Sequence, residues 1–405
     1  MAKGKGAKKG GGPRAPAARV TPQQLYEQAQ LAIQYQDYDS ARTALRKAAK
    51  MDPKNVEYLD ALGALLAEIG PEDEAVEVLK KSVSLSPDVG YEKYLYLGQL
   101  LEEPGQALAA TRKGVQVLQA QHAAAQAQAQ AASSPAVAGL SKALSGALCS
   151  LSEMLLAHAQ MQQQQQAGEA GAGGGVPAAV AEEVEHFLAL ASTADPSSPE
   201  PGQALASLRY EQGRAAEALE ALRRSMALWY TPSTKDDEEE EEEAGGGGKA
   251  AAAAAAGGED ADMADADGGG DNEEAEEDSD GDDSDDDDDE EDDGPSYEFR
   301  LECAKLLLEL DETTTTAIDV LEGLIEEDDR VPDAWHLLAL SYYSGHQYSE
   351  AAAVLAKGQA LLATLGAGPG DEITEVFADL ESAIKEAMAL EQQHQHQQGE
   401  QQQRQ

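Results

Sequence analysis

Two prolines, Pro53 in "AAKMDPKN" and Pro87 in "SVSLSPDV", stand 34 residues apart and close two segments built on the same apolar positions. With proline counted as position 32 of a unit, Ala41 and Ala75 fall at position 20. Leu45 and Leu79 fall at 24, and Leu62-Gly63 fill positions 7 and 8. Small residues at 8 and 20 let two antiparallel helices approach closely. Large residues at 4, 7, 11 and 24 fill the space between them, and proline stops the second helix. A chain that repeats this pattern can bury its apolar stripes only by stacking one helix pair on the next.

The pattern recurs. "EKYLYLGQLLEEPGQALAATRKG" carries Tyr94, Leu97, Gly98 and Leu101, then Ala107 after a shortened turn. Pro196 closes a fourth unit, and "GQALASLRYEQGRAAEALEALRRS" forms a fifth with Ala206, Gly213, Ala218 and Leu222. "YEFRLECAKLLLELDETTTTAIDVLEGL" supplies Leu301, Leu308, Ala317 and Leu321, and "DAWHLLALSYYSGHQYSEAAAVLAKG" the last set, including Trp335, Leu338, Ala339 and Ala351. The period and the small-residue positions resemble the tetratricopeptide repeat (TPR). The expected fold is therefore all-α, a TPR superhelical solenoid with a disordered acidic insertion.

The predicted organisation is a basic tail over 1–20, TPR units 1–3 over 21–119 and a low-complexity linker over 120–138. Units 4–5 occupy 139–232, with a Gln/Gly insertion at 162–177 and helices about Leu140–Gln160 and Ala178–Ala194 in unit 4. An acidic insertion spans 233–295, units 6–7 cover 296–365, a capping helix runs over 371–391, and a Gln-rich tail ends the chain at 392–405.

Charge narrows the partner. The chain has 29 basic and 77 acidic side chains, a net charge of −48. Residues 233–294 hold 31 acids and two lysines and contribute −29, so the remainder is still acidic although the first twenty residues are +6. Phosphate binding needs lysines and arginines that release counterions, so direct nucleic-acid binding is disfavoured. Anionic membranes are disfavoured on the same ground, and a basic polypeptide is the natural complement. No apolar run is expected to cross a bilayer. The acidic run itself buries nothing and repels itself, so it reads as a mobile polyanion that steers basic partners or confers solubility.

The residues of catalysis are missing as a set. No glycine-rich phosphate loop follows a strand, and the seven histidines are scattered through the chain. The aspartate runs lack the glycine and closing glutamate of a calcium loop. Cys149 and Cys303 sit in apolar helical patterns and read as reduced core cysteines. No enzyme activity, metal or cofactor is expected.

Binding is where such arrays act. In the TPR family the first helix of each pair lines the concave groove, with positions 2, 5, 9, 12 and 13 directed into it. Carried onto this sequence, those positions include Glu57, Asp60 and Glu68 in unit 2 and Glu92, Glu102 and Glu103 in unit 3. They include Glu200, Tyr210 and Glu211 in unit 5, Glu302, Glu309, Leu306 and Leu310 in unit 6, and Asp333, His336 and Tyr343 in unit 7. None of the groove positions so assigned is Lys or Arg, whereas Arg46, Lys47, Lys80, Lys81, Arg112, Lys113, Arg223 and Arg224 fall on second helices. An acidic groove with flat tyrosine rings suits lysine and arginine side chains. It is opposite in sign to TPR grooves that grip acidic chaperone tails.

The phrases "EKYLYLGQL", "ALCSLSEMLL", "LASLRYEQGR…EALEALRRSMALW" and "SYEFRLECAKLLLEL" resemble the dedicated assembly chaperones of large-subunit ribosomal protein L-four, over roughly 21–365. The resemblance implies a monomeric escort between cytoplasm and nucleus. Such a protein holds the internal loop of the newly made basic protein in its groove, one to one, and releases it into large-subunit assembly. The charge pattern alone also admits a histone or other basic-protein chaperone, or a generic TPR scaffold of a nuclear complex.

Overall fold

The structure is a computed structural model that describes residues 20–128, 134–167, 175–232, 294–310, 314–368 and 370–403. The chain is a TPR array: fifteen helices are described, in consecutive packed pairs, and the described residues contain no strand. They are α1 (Pro22–Gln34), α2 (Tyr38–Met51), α3 (Val56–Ile69), α4 (Glu72–Leu85), α5 (Glu92–Leu100), α6 (Pro104–Gln128), α7 (Pro135–Ala167) and α8 (Ala178–Ala194). There follow α9 (Glu200–Glu211), α10 (Ala215–Met226), α11 (Tyr297–Glu309), α12 (Thr314–Glu327), α13 (Pro332–Ser344), α14 (Tyr348–Leu365) and α15 (Glu372–Gln403).

Local chemistry starts the helices. Thr21 opens α1 with a capping box: Gln24 N–H donates to Thr21 Oγ1 at 3.2 Å and Thr21 N–H to Gln24 Oε1 at 3.0 Å, with Pro22 next in line. Asp37 and Asn55 accept the Ser40 and Tyr58 amides at 3.1 and 3.4 Å and start α2 and α3.

Packing within the pairs follows the repeat. Ala41, Ala75, Ala218, Ala317 and Ala351 are fully buried, and Leu45, Leu79, Leu222, Leu321 and Leu355 beside them are buried as well. The close approach is literal at Gly63, where a Cβ would lie 2.8 Å from Leu79 Cγ, and at Gly98, where it would overlap Thr111 Oγ1. First helices also touch first helices: α3 packs on α5, α7 on α9, α9 on α11, α11 on α13 and α13 on α15. A layer of first helices is thereby laid side by side.

One compact unit takes in the helices on both sides of residues 231–296. Trp229 meets Phe299 edge-on at 6.2 Å between centroids, and the Tyr230 hydroxyl donates to Asp319 at 2.5 Å. Leu222, Met226, Cys303, Leu307 and Leu321 share one core there. The array therefore continues from unit 5 to unit 6. Of the acidic stretch, the predicted run at 233–293 lies outside the described residues, as do the basic tail at 1–19 and the heart of the Gln/Gly insertion at 168–174.

Several boundaries differ from expectation. Helix α6 continues through Gln128 into the stretch predicted as a linker, because its Ala- and Gln-rich sequence has no helix breaker. The first helix of unit 4 is longer than predicted, Pro135–Ala167 rather than Leu140–Gln160, and α15 runs to Gln403 where a tail was predicted from 392. One stretch of α7, Pro135–Gln165, is long and apolar enough to cross a membrane by length and composition, which the sequence reading denied to every segment. Its Leu144, Leu148, Leu151 and Leu155 are buried in one core with Leu118 of α6 and Val184 and Leu188 of α8. That face is occupied by neighbouring helices.

Candidate functional site

The layer of first helices presents the predicted carboxylates, but not all in the same state. Glu57, Glu92, Glu200, Glu211, Glu309 and Asp333 are exposed on α3, α5, α9, α11 and α13, and none forms an ion pair among the described residues. Glu302 is exposed and already paired with Lys305 at 2.7 Å. Glu68 accepts the Tyr96 hydroxyl at 2.9 Å, and burial together with that carboxylate pushes the phenol up to about 12. Tyr210 and Tyr343 are partly buried, each against a repeat core.

Other predicted groove positions are used by the fold itself. Asp60 accepts a hydrogen bond from the Ser82 hydroxyl of α4 and lies 3.9 Å from Lys93 Nζ of α5. Lys93 is almost wholly buried and also reaches Ser82 Oγ at 3.3 Å. Burial lowers the ammonium's pKa and Asp60 opposes that shift, so the carboxylate is committed to the joint between units 2 and 3. Helix α5 stops at Leu100, which puts Glu102 and Glu103 in the following turn instead of on the helix. There Glu103 accepts the Gly105 and Gln106 amides at 2.9 and 2.8 Å and caps α6. Glu102 is exposed beside it without an ion pair among the described residues. Leu306 and Leu310 are buried in the joint of units 5–6 and are core, not surface. His336 packs its ring 5.3 Å from Phe377, so α15 covers that position.

Cations occur on first helices after all, and their partners decide their effect. Lys93 pairs with Asp60, Arg209 with Glu185 at 3.5 Å, Arg300 with Glu327 at 2.5 Å and Lys305 with Glu302. Lys142 of α7 is exposed and makes no ion pair among the described residues. The net balance of free charge on this layer is therefore strongly negative.

Sequence reasoning missed one member. Glu153 on α7 lies near Glu200 on α9, and desolvation followed by repulsion from Glu200 raises its pKa. The irregular fourth unit has no clear register at 162–177, which hid the position. Both cysteines are buried, and burial pushes their thiols up to about 12, the state of inert core residues. Among the described residues no group of three or more His, Cys, Asp or Glu is placed to hold a metal ion.

Comparison with known proteins agrees with this picture at two levels. A tetratricopeptide-repeat family model matches residues 25–55. The chain is 24% identical over 304 residues to the probable assembly chaperone of rpl4 from Schizosaccharomyces pombe, which covers 75% of this chain and 67% of the relative. It is 31% identical over 108 residues to cellulose synthase operon protein C of Komagataeibacter xylinus, a match over 25% of this chain and 8% of that protein. Among solved structures, the assembly chaperone of RpL4 (Acl4, residues 1–338) aligns with a TM-score of 0.57 at 23% identity, covering 82% of this chain and 99% of that one. That likeness is one of fold.

Proposed function

We propose that this chain is an assembly chaperone of rpl4, the large-subunit ribosomal protein L-four. In this reading it receives the newly made basic protein along its acidic first helices, keeps it from aggregating and delivers it to large-subunit assembly. The observation that carries the reading is the charge left unpaired on that face: among the described residues Glu57, Glu92, Glu200, Glu211, Glu309 and Asp333 are exposed without ion pairs, while four first-helix cations are already neutralised. A relative matching along 304 residues and named for rpl4 supports the identity of the client.

The mechanism follows from electrostatics. An internal loop of rpl4 that must later lie against RNA is rich in unpaired positive charge. Carboxylates spaced along successive first helices substitute for phosphates while the loop waits, and hide it from the wrong RNA. Each exposed pair stabilises the complex by only ~0.2–1 kcal/mol, so an extended, one-to-one contact over several units is required. Release is then an exchange of carboxylates for ribosomal RNA phosphates, in the nucleus after capture in the cytoplasm.

The test is co-purification of recombinant rpl4 with the full chain at low salt. A stoichiometric complex that dissociates as salt is raised is expected, because screening acts over ~10 Å at 0.1 M. Reversing Glu200→Lys and Glu211→Lys together is expected to weaken it about tenfold without changing the helical circular dichroism, since two ~0.2–1 kcal/mol attractions become repulsions. Glu103 is the wrong choice for such a test, because its loss also uncaps α6. A wild-type chain that leaves rpl4 unbound, or equal binding by the reversed variant, sinks the proposal.

A further inference from the structure

At the C-terminal end of the array, α13, the turn after it, the start of α14 and α15 line a cleft of about 510 Å³. Its lining includes Tyr343, His346, Tyr348, Glu386, Leu390 and Glu391, with no Lys or Arg. Tyr343 is partly buried against the core of Ala339, Ala351 and Leu355, whereas His346 is exposed and lies outside that core. Three rings converge: Tyr343 and Tyr348 have centroids 5.7 Å apart at 55°, and His346 and Tyr348 lie 5.9 Å apart at 75°. His346 Nδ1 and the Tyr348 hydroxyl are 2.9 Å apart, which locks two of the rings together. The His346 backbone adopts φ 61°, the left-handed turn that Gln36 (φ 55°) and Gly213 (φ 73°) make at the same place in units 1 and 5, and the Gln347 N–H donates to Tyr342 O at 2.9 Å. Across from the rings, Glu386 is exposed and forms no ion pair among the described residues, and Leu390 stands 51% exposed at the mouth.

Aromatic faces, the Glu386 carboxylate and an apolar rim together favour one kind of guest. A metal ion would want more oxygen ligands and a smaller space. A planar, weakly hydrated guanidinium stacks on tyrosine rings and pairs with carboxylates in the same pose, which a lysine ammonium does less well. We propose that this cleft takes a single arginine side chain of the basic client and so anchors one end of the bound segment. The source of the arginine rests on the rpl4 reading above; the preference for a guanidinium does not.

The experiment uses the full chain in two arms. In the first, calorimetry compares rpl4 binding by wild type, Glu386→Gln and Tyr348→Leu, with thermal melting as the control for folding. A roughly tenfold rise in Kd for each variant at unchanged Tm is expected. In the second, Leu390→benzoylphenylalanine is irradiated with acetyl-Gly-Arg-Gly-amide or its citrulline counterpart, and labelling by the arginine peptide alone is expected. Unchanged rpl4 affinity in both variants overturns the cleft and leaves the chaperone reading standing. If wild type does not bind rpl4 at all, that reading falls and the second arm decides the cleft: arginine-selective labelling keeps it, and equal or absent labelling removes it.

Discussion

Glu153 and Glu200 show what crowding carboxylates on the first-helix layer costs the fold. Desolvation, and after it repulsion from Glu200, raises the Glu153 pKa above its unfolded value, so the ionised form is disfavoured in the folded state. A carboxylate shifted upwards destabilises the fold at pH values above its folded pKa, and the penalty disappears as pH falls below the unfolded value of about 4.3. Glu153→Gln is therefore expected to raise Tm only slightly, by about 1 °C, at pH 7, because solvent screens the exposed side chain, and to leave it unchanged near pH 3.5, which differential scanning calorimetry at the two pH values checks. A Tm gain that is the same at both pH values would point to packing instead of charge. Lys93 shows the opposite use of charge. Buried between Asp60 and Ser82, it joins two repeats. The sequence labels a residue Asp or Lys. Whether that charge faces solvent or closes a joint depends on what the next helix brings within 4 Å.

Individual helices are set by their small residues as much as by their large ones. At Gly98 of α5 an added Cβ would overlap Thr111 Oγ1 and lie 3.3 Å from Thr111 Cβ, on a side chain that is itself buried and donates to the Ala107 carbonyl at 3.1 Å. Gly98→Ala is expected to destabilise the chain by about 1–3 kcal/mol despite the better helix propensity of alanine, because overpacking outweighs propensity. Combining it with Thr111→Ala should recover part of the loss, as measured by urea unfolding; no recovery would place the strain elsewhere. The same logic made the elements legible in advance. Positions 8 and 20 are constrained by helix contact inside one pair, and so Ala41, Ala75, Ala218, Ala317 and Ala351 could be assigned to the core from spacing. Helix ends were less legible. Alanine and glutamine tracts in α6, α7 and α15 carry no stop signal, and these helices run on past the repeat.

At the scale of the whole molecule, acidic side chains occur both on the first helices and in the sequence run at 233–293. If the first helices bind the client, deleting residues 236–293 should change affinity for rpl4 by no more than about threefold, with most of the change in association rate, since long-range charge steers encounter more than it holds the complex. Stopped-flow and equilibrium binding on the deleted chain read this directly. Loss of the client on deletion would move the assignment to a tract-dependent binder of the histone-chaperone kind. On its own the sequence determined that the chain stacks helix pairs, which residues seal each pair and that the charge is negative, because these follow from short-range periodicity and composition. Only the tertiary structure decided that Asp60 and Glu103 serve the fold, that Leu306 and Leu310 lie in a joint, and that Tyr343, Tyr348 and Glu386 share a cleft. Those outcomes depend on contacts between units and with α15, which a pattern confined to one repeat does not contain.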